Sequence, residues 1–300
     1  MLTKLGMVTF GNIEFTKLAI RSILETSKRI GIRDIILVVG KPGDTQTVDF
    51  ANQSGIPYIT HTRNYGFPYS LNDIYDFCWK DSITDNIIIM GNDVIAYPFA
   101  IDSLIKVAEM GKYEWICSKE VSAKSLVKAF PSAARYFQGP EMRFSAFNER
   151  PWEVFDRYSE NIILDEAGLS DVHNLALFNR SVFDKIGYID VNFYPAYYSD
   201  NDYARRAVHA KINSCTLSNS LYFHFWSRTI HQGHGGSTNK HFGRNADFYK
   251  KKWGGGFGSE AWTLPFNGEP IKLAGVTLEP SIKIDSRDGD VPLTEYWRNM

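Results

Sequence analysis

Short apolar runs alternate with longer amphipathic stretches through the first third of the chain. Leu5 to Phe10, Ile35 to Val39, Ile56 to Thr60 and Ile87 to Met90 are brief, rich in β-branched residues and bounded by turn formers, which predicts buried strands. Between them, Glu14 to Ser27, Thr45 to Ser54 and Ser70 to Trp79 carry apolar residues at helical spacing, with Phe15, Leu18, Ala19 and Ile23 forming one stripe. Strand then helix, repeated, predicts a mostly parallel α/β sheet covered on both faces. In such sheets ligands bind at the carboxyl ends of the strands.

Beyond an apolar run at Tyr113 to Cys117 the periodicity loosens. Glu120 to Ser170 mixes aromatics, prolines and charges and reads as an irregular insert, a lid or an acceptor wall. Asn174 to Asn179 then predicts a returning strand, Val182 to Ile186 and Asp202 to His209 short helices, and Ser214 to Leu217 and Leu221 to Phe225 further strands. His241 to Trp253 has helical spacing and stops at Gly254-Gly-Gly256. The tail after it, rich in proline and glycine, is expected to wrap the surface.

Composition narrows the function. The 300 residues are 44% hydrophobic, enough for a substantial core. With 33 Lys and Arg against 34 Asp and Glu, the chain as a whole has no strong attraction for nucleic acid or an anionic membrane. The first ten residues hold too short an apolar run for a signal peptide, and no segment approaches the length of a membrane span, so a cytoplasmic protein is expected. Cys78, Cys117 and Cys215 show no paired spacing and read as buried free thiols. Asn52-Gln-Ser54 and Asn179-Arg-Ser181 match the glycosylation acceptor pattern by chance in a chain without a secretory signal.

Candidate chemistry gathers at a few places. Asn92 and Asp93, in Gly91-Asn-Asp-Val94, follow the fourth apolar strand; a carboxylate there either grips a divalent cation on a diphosphate or simply forms a turn. Asp200 and Asp202 open a helical segment behind the aromatic run Phe193 to Tyr198, and read either as a helix cap or as a general base walled by rings. His224 and His231 are either cation ligands or hydrogen-bonded structural groups. The glycine runs near His231 and after Trp253 lack the lysine and serine or threonine of a phosphate loop and do not follow a first strand. Lys240, Arg244, Lys250, Lys251 and Lys252 form a basic cluster, a solvated face or a phosphate contact.

In this order the motifs resemble those of the family 2 nucleotide-sugar glycosyltransferases, over most of residues 3 to 253. The resemblance is carried by Val8-Thr-Phe-Gly11, Asn64-Tyr-Gly-Phe67 followed by Asn72, Gly91-Asn-Asp-Val94, Phe183-Asp-Lys-Ile-Gly187 with Asp190 and Phe193, Tyr198-Ser-Asp-Asn-Asp202, and Lys252-Trp-Gly254. It implies the GT-A fold, a Rossmann-like sheet with an acceptor-side insert and an extended C-terminal tail. Residues 1–117 would form the nucleotide-sugar half, 118–255 the acceptor and catalytic half of the same domain, and 256–300 the tail. It further implies an inverting transfer from a nucleoside diphosphate sugar, with Mn2+ or Mg2+ as cofactor. Phe10, Gly11, Gly40, Asn64, Gly66, Asn72, Asn92 and Asp93 would contact the donor. Asp93 would ligate the metal together with His224 or His231, and Asp200 would be the base, with Asp202 as its substitute.

The chain departs from the family pattern at three positions. Gly40 stands where an aspartate usually contacts the base, Gly91 where an acidic residue is common, and Ser199 where glutamate is usual. The acceptor implied is a saccharide or glycan precursor, with a hydroxyl on a modified DNA base or a protein hydroxyl as alternatives. Rival readings are a glycoside hydrolase, a sugar nucleotidyltransferase, and a carbohydrate-binding module using Trp152, Tyr197, Tyr198 and Trp226.

Overall fold

A computed structural model describes residues 1–79, 83–121, 174–225, 238–273 and 276–285, with short pieces of 122–173 between them. The alternating first third folds into β1 (Thr3–Thr9), β2 (Ile35–Val39), β3 (Tyr58–Thr60) and β4 (Asn86–Met90), connected through α1 (Ile13–Thr26), α2 (Thr45–Ser54) and α3 (Phe67–Trp79). β1 pairs in parallel with both β2 and β4. The chain then adds β5 (Val94–Ala96), α4 (Ala100–Ala108), β6 (Trp115–Glu120), the short β7 (Phe137–Gln138), β8 (Glu141–Met142) and β9 (Leu164–Asp165), and β10 (Leu175–Asn179). After these come α5 (Arg180–Ile186), α6 (Ser199–His209), β11 (Ser214–His224), α7 (Thr238–Trp253) and the hairpin β12 (Ile271–Leu273) and β13 (Val276–Leu278).

The nine-stranded sheet has the order β3-β2-β1-β4-β10-β6-β11-β5, with β9 on β11. β10 runs antiparallel to both β4 and β6, and β11 runs parallel to β6. Six strands therefore share one direction, the mostly parallel α/β sheet that the alternation predicts. Strand order reverses between β1 and β4, a topological switch point of the kind that opens a crevice at the carboxyl edge.

β1, β2 and β4 are buried on both faces, so each parity of side chain meets a different layer, whereas β3, expected to be buried, is the half-exposed edge strand. Leu5, Met7, Leu37 and Ile88 pack with Ile20 and Ile23 of α1 and Leu104 of α4. Ile36, Val38, Ile87 and Ile89 pack on the other face with Ile74 and Tyr75 of α3, Val182 of α5 and Tyr203 of α6. Gly6 sets the distance between β1 and α3, since a Cβ there would lie 2.3 Å from Ile74 Cγ2. Cys78, Cys117 and Cys215 are buried free thiols, and burial pushes Cys215 up to about 11. Among the described residues no helix is long and apolar enough to cross a membrane.

The two strands expected at Ser214 to Leu217 and Leu221 to Phe225 are one strand, β11, with a register irregularity between Leu217 and Leu221. β5 and α4 have no counterpart among the elements expected from the sequence. The three-residue strand is too short to show a period of two, whereas the helix does carry an amphipathic stripe, with Asp102 and Lys106 one turn apart on its outer face. The expected insert over Glu120 to Ser170 lies largely outside the described residues.

A buried charge cluster fastens the C-terminal helix to the rest. Lys252 Nζ lies 2.6 Å from Asp190 Oδ2 and 2.8 Å from Asp202 Oδ1, and Arg206 Nε lies 3.0 Å from Asp202 Oδ2. The Trp253 indole donates to Asp202 Oδ1 at 2.9 Å, and the Arg206 guanidinium donates to the carbonyls of Ile186 and Tyr188. All four charged side chains are at most 5% exposed. Lys252 therefore belongs to the interior rather than to a basic surface, which removes it from the cluster of cations read around the last helix. Around it, Phe193, Phe248, Tyr249, Trp253, Phe266 and Leu278 close an apolar shell that includes the tail hairpin. The tail reaches further, where Tyr188 N–H donates to the Ile284 carbonyl at 2.9 Å.

Burial alone would raise the Asp202 carboxyl, but Lys252 and Arg206 overcome it and hold Asp202 below its ordinary 3.8. Burial alone would lower Lys252, but Asp190 and Asp202 hold it above its ordinary 10.5. A depressed acid contributes stability above its unfolded value and loses it as pH falls through the folded one; a raised base contributes below its unfolded value and loses it as pH rises. The cluster is thus fully stabilising between about pH 4 and pH 10, with losses at both ends. Lys252→Met leaves two facing carboxylates without their shared cation and is expected to remove about 3–5 kcal/mol, read by urea unfolding at neutral pH.

Candidate functional site

The switch point is bordered by the ends of β1 and β4. β1 runs into Phe10 and Gly11, and Gly11 (φ 75°) with Asn12 (φ 57°) forms a left-handed pair that turns the chain into α1. β4 runs into Asn92 and Asp93, and Asn92 Nδ2 donates to Thr16 Oγ1 of α1 at 3.2 Å, tying the two loops together across the crevice. Gly40, which follows β2, donates its N–H to the Thr9 carbonyl at 2.9 Å. A Cβ on Gly40 would lie 3.4 Å from Ser70 Oγ of α3 and 3.6 Å from the Phe10 ring. Phe10, Gly11, Gly40, Asn92 and Asp93 therefore share one edge of the sheet.

His224 reaches that edge from the other end of the sequence. β11 pairs antiparallel with β5, setting His224 opposite Val94, and the Phe225 N–H donates to the Asp93 carbonyl at 3.0 Å. His224 Nε2 lies 3.3 Å from Asp93 Oδ1, and its Nδ1 lies 3.0 Å from the Asn174 side-chain amide. Both Asp93 and His224 are mostly buried, with side chains 10% and 14% exposed. Gly91 is explained by the same packing, because a Cβ there would meet Asp93 Oδ1 at 3.3 Å and Val94 Cγ2 at 3.1 Å. A side chain at 91 would crowd the Asp93 carboxylate.

This pair fits a divalent cation. Two donors at right angles on an ion with bonds of about 2.1 Å would be about 3.0 Å apart, close to the observed separation. One imidazole and one carboxylate suit manganese better than magnesium, which prefers an all-oxygen shell, and the rest of the shell would come from ligand oxygens and water. Among the described residues no group of three or more His, Cys, Asp or Glu side chains gathers in this way. His231 lies outside the described residues.

The second group of predicted residues sits around the amino ends of α3 and α6. β11 runs in the direction of β4, so α6, which leads into it, runs the opposite way and points its amino terminus at the carboxyl edge. Asp200 lies in the first turn of α6, half-buried, with Oδ1 accepting the Asn201 N–H at 3.0 Å. The residue at the cap position is Tyr198, with no side-chain cap bond, so neither aspartate is the cap. Asp202 is fully buried and both its oxygens are engaged by Lys252, Trp253 and Arg206. Its place is in the charge cluster, which corrects its reading as a second base.

The Asn64 to Phe67 loop links the two groups. Asn64 Oδ1 accepts the Gly66 N–H at 2.9 Å, and the Phe67 N–H donates to the Pro195 carbonyl at 2.7 Å. Gly66 has φ 89°, and a Cβ there would lie 2.8 Å from Tyr194 Cδ2 and 3.1 Å from the Pro195 carbonyl oxygen. Asn72 is fully buried; it donates to the Ile189 carbonyl at 2.8 Å and accepts the Ile189 N–H at 2.9 Å. It is a bridge between α3 and the segment leading to α6, and its amide is taken up there rather than turned to a donor.

The sequence reading passed over His61. It follows β3 directly, its N–H donates to the Val39 carbonyl at 3.2 Å beside Gly40, and its Nε2 lies 2.6 Å from Asp73 Oδ2. The rings of Tyr65 and Tyr69 stack at 4.7 Å and cover it edge-on. The available signal was a histidine at the carboxyl end of a predicted strand, the position that drew attention to Asp93. A carbohydrate-binding surface needs exposed rings, but Trp152 is 3% exposed, with the Arg21 guanidinium over its ring. Trp226 lies outside the described residues.

The sequence matches no protein family and no curated protein. Among solved structures, it is similar to a mannosyltransferase from Pyrobaculum calidifontis in complex with GDP-mannose and Mn2+, at 10% identity and a TM-score of 0.49. The match covers 77% of this chain and 58% of that one, so the chain spans little more than half the length of that enzyme.

Gly66 is the position at which this arrangement is most exposed to a single methyl group. Gly66→Ala is expected to destabilise the fold by about 1–3 kcal/mol, through its left-handed φ and the clash with Tyr194, read as a lowered midpoint of urea unfolding.

Proposed function

We propose that the chain is an inverting glycosyltransferase of the GT-A type, taking a nucleoside diphosphate sugar at the β1/β4 crevice and passing its sugar to an acceptor hydroxyl. The observation that carries this reading is the meeting of Asp93 and His224, 131 positions apart in sequence, at 3.3 Å beside the switch point. The backbone of Gly11 and Gly40 lines the same edge without side chains and suits close approach of a ligand. A divalent cation held by Asp93 and His224 would supply positive charge for the departing diphosphate.

The chain's own residues divide the remaining work. Asp200 takes the proton of the acceptor hydroxyl, whose oxygen forms a bond to the anomeric carbon as the bond from that carbon to the diphosphate oxygen breaks on the opposite face. Asn174 holds the His224 ring from behind and fixes its direction. Asp202, Lys252 and Arg206 keep α6 in place and take no part in the proton transfer.

The two roles separate in experiment. Asp200→Asn is expected to lower the transfer rate by about 10²- to 10⁴-fold while leaving donor affinity unchanged. Asp93→Ala is expected to abolish the stabilisation that a nucleoside diphosphate with Mn2+ gives the wild type, about 2.7 kcal/mol at a hundredfold excess over Kd. A thermal-shift screen of nucleoside diphosphates with Mn2+ or Mg2+ measures the second and names the base. Equal stabilisation of Asp93→Ala and wild type would remove the cation from the proposal.

A further inference from the structure

The segment just before Asp200 is held in a conformation that its residues disfavour. Tyr197 (φ 74°) and Tyr198 (φ 66°) are consecutive aromatic residues in the left-handed region, which bulky side chains rarely enter. Such backbone persists only where the surroundings impose it. Here Asn245 of α7, itself buried, donates to the Ala196 carbonyl at 2.7 Å and the Tyr197 carbonyl at 3.2 Å, and the Arg244 guanidinium donates to the Tyr194 carbonyl. The outcome is that both tyrosine rings turn towards Phe242, with centroids 5.4 Å and 5.2 Å from its ring. Phe242 is 46% exposed, and both tyrosines are partly so. Beside it, a Cβ on Gly243 would meet nothing within 4 Å.

We infer that Tyr197, Tyr198 and Phe242 form the acceptor platform, and that the acceptor is a neutral saccharide whose apolar ring face stacks on them while a hydroxyl at its edge meets Asp200. This rests on Asp200 being the base. A pyranose ring has a C–H face and a hydroxyl rim, which matches aromatic rings set beside a carboxylate. Charge favours a neutral ligand over a nucleic acid. Of the described basic side chains of α7, Arg244, near the platform, is half-buried and engaged by a carbonyl, while Lys250, Lys251 and Lys252 lie in the last turn, Lys250 paired with Asp247 and Lys252 inside the charge cluster. Asp200, two residues after Tyr198, sets a carboxylate beside the platform at the same spacing in sequence as Lys240 and Arg244 have from Phe242, and that carboxylate repels phosphate.

The test uses wild type, Phe242→Ala and Tyr197→Gly. Glycine takes the left-handed φ without penalty, so the second variant removes a ring and keeps the backbone. Each is applied to an array of neutral mono- and oligosaccharides and to single- and double-stranded DNA carrying 5-hydroxymethylcytosine, with folding checked by thermal melt. The expected result is saccharide binding by the wild type that weakens about tenfold in each variant, the size of a lost stacking contact. The thermal shift given by a nucleoside diphosphate with Mn2+ should be unchanged in both. Binding that survives both substitutions, binding to DNA in place of saccharide, or no saccharide binding by the wild type would each overturn the inference. If ring-dependent saccharide binding is found but no nucleoside diphosphate shifts the wild type, the donor reading fails and the platform stands.

Discussion

The position of Asp200 depends on ion pairs that it does not join. α6 could pack on the sheet through Tyr203 and Ala207 alone, but apolar contact does not fix a helix along its axis, whereas the Asp202–Arg206 and Asp202–Lys252 pairs do. Two carboxylates and two cations in one dry cluster neutralise one another, and the carbonyls of Ile186 and Tyr188 satisfy further guanidinium donors. Such a cluster adds little net stability over an apolar core of the same shape, yet removal of any one member leaves a buried charge uncompensated. Its contribution is therefore to geometry. The carboxylate two residues earlier, on the first turn of the same helix, inherits a fixed direction.

The same cluster explains why the acidic pair in this segment has unlike members. Asp200 and Asp202 are two residues apart on a helix, so they face nearly opposite directions. One must point inward if the other points out. Asp202 lies against Lys252 and Trp253, and Asp200 is left at the mouth of the helix. An outward carboxylate and its anchor are thereby supplied by one short motif, and α7 supplies both the cation that holds the anchor and, two turns earlier, the asparagine that holds the tyrosines.

Much of the fold was legible because its strands are short, continuous apolar runs separated by amphipathic helices, a pattern with few structural solutions. β2 and α2 have the bounds that the pattern predicts, Ile35 to Val39 and Thr45 to Ser54. β5 is three buried residues and too short to show a period, while α4 does carry an amphipathic pattern, with Asp102 and Lys106 on its outer face, that the reading of the sequence leaves out. The candidate site was legible where the evidence is local: Asp93 at a strand end, Asp200 at a helix start. It was not legible where partners decide. Nothing in the run Tyr203-Ala-Arg-Arg206 tells that Asp202 binds a lysine some fifty residues on, and nothing about Asn72 tells that its amide bridges to Ile189 rather than turning to a ligand.

Asp93 and His224 illustrate the opposite case, in which a departure from a familiar motif becomes intelligible only in three dimensions. Glycine at position 91 looks like the loss of a ligand. In the structure the Asp93 carboxylate occupies the space beside Gly91, drawn towards an imidazole that arrives on β11 through its pairing with β5. A second acid at 91 would add negative charge and bulk where the carboxylate already lies, whereas the imidazole adds a donor without either. The register of β5 on β11 is thus the constraint that sets the chemistry of this edge: a slip by one residue would turn His224 to the other face of the sheet and leave Asp93 with no side-chain partner there.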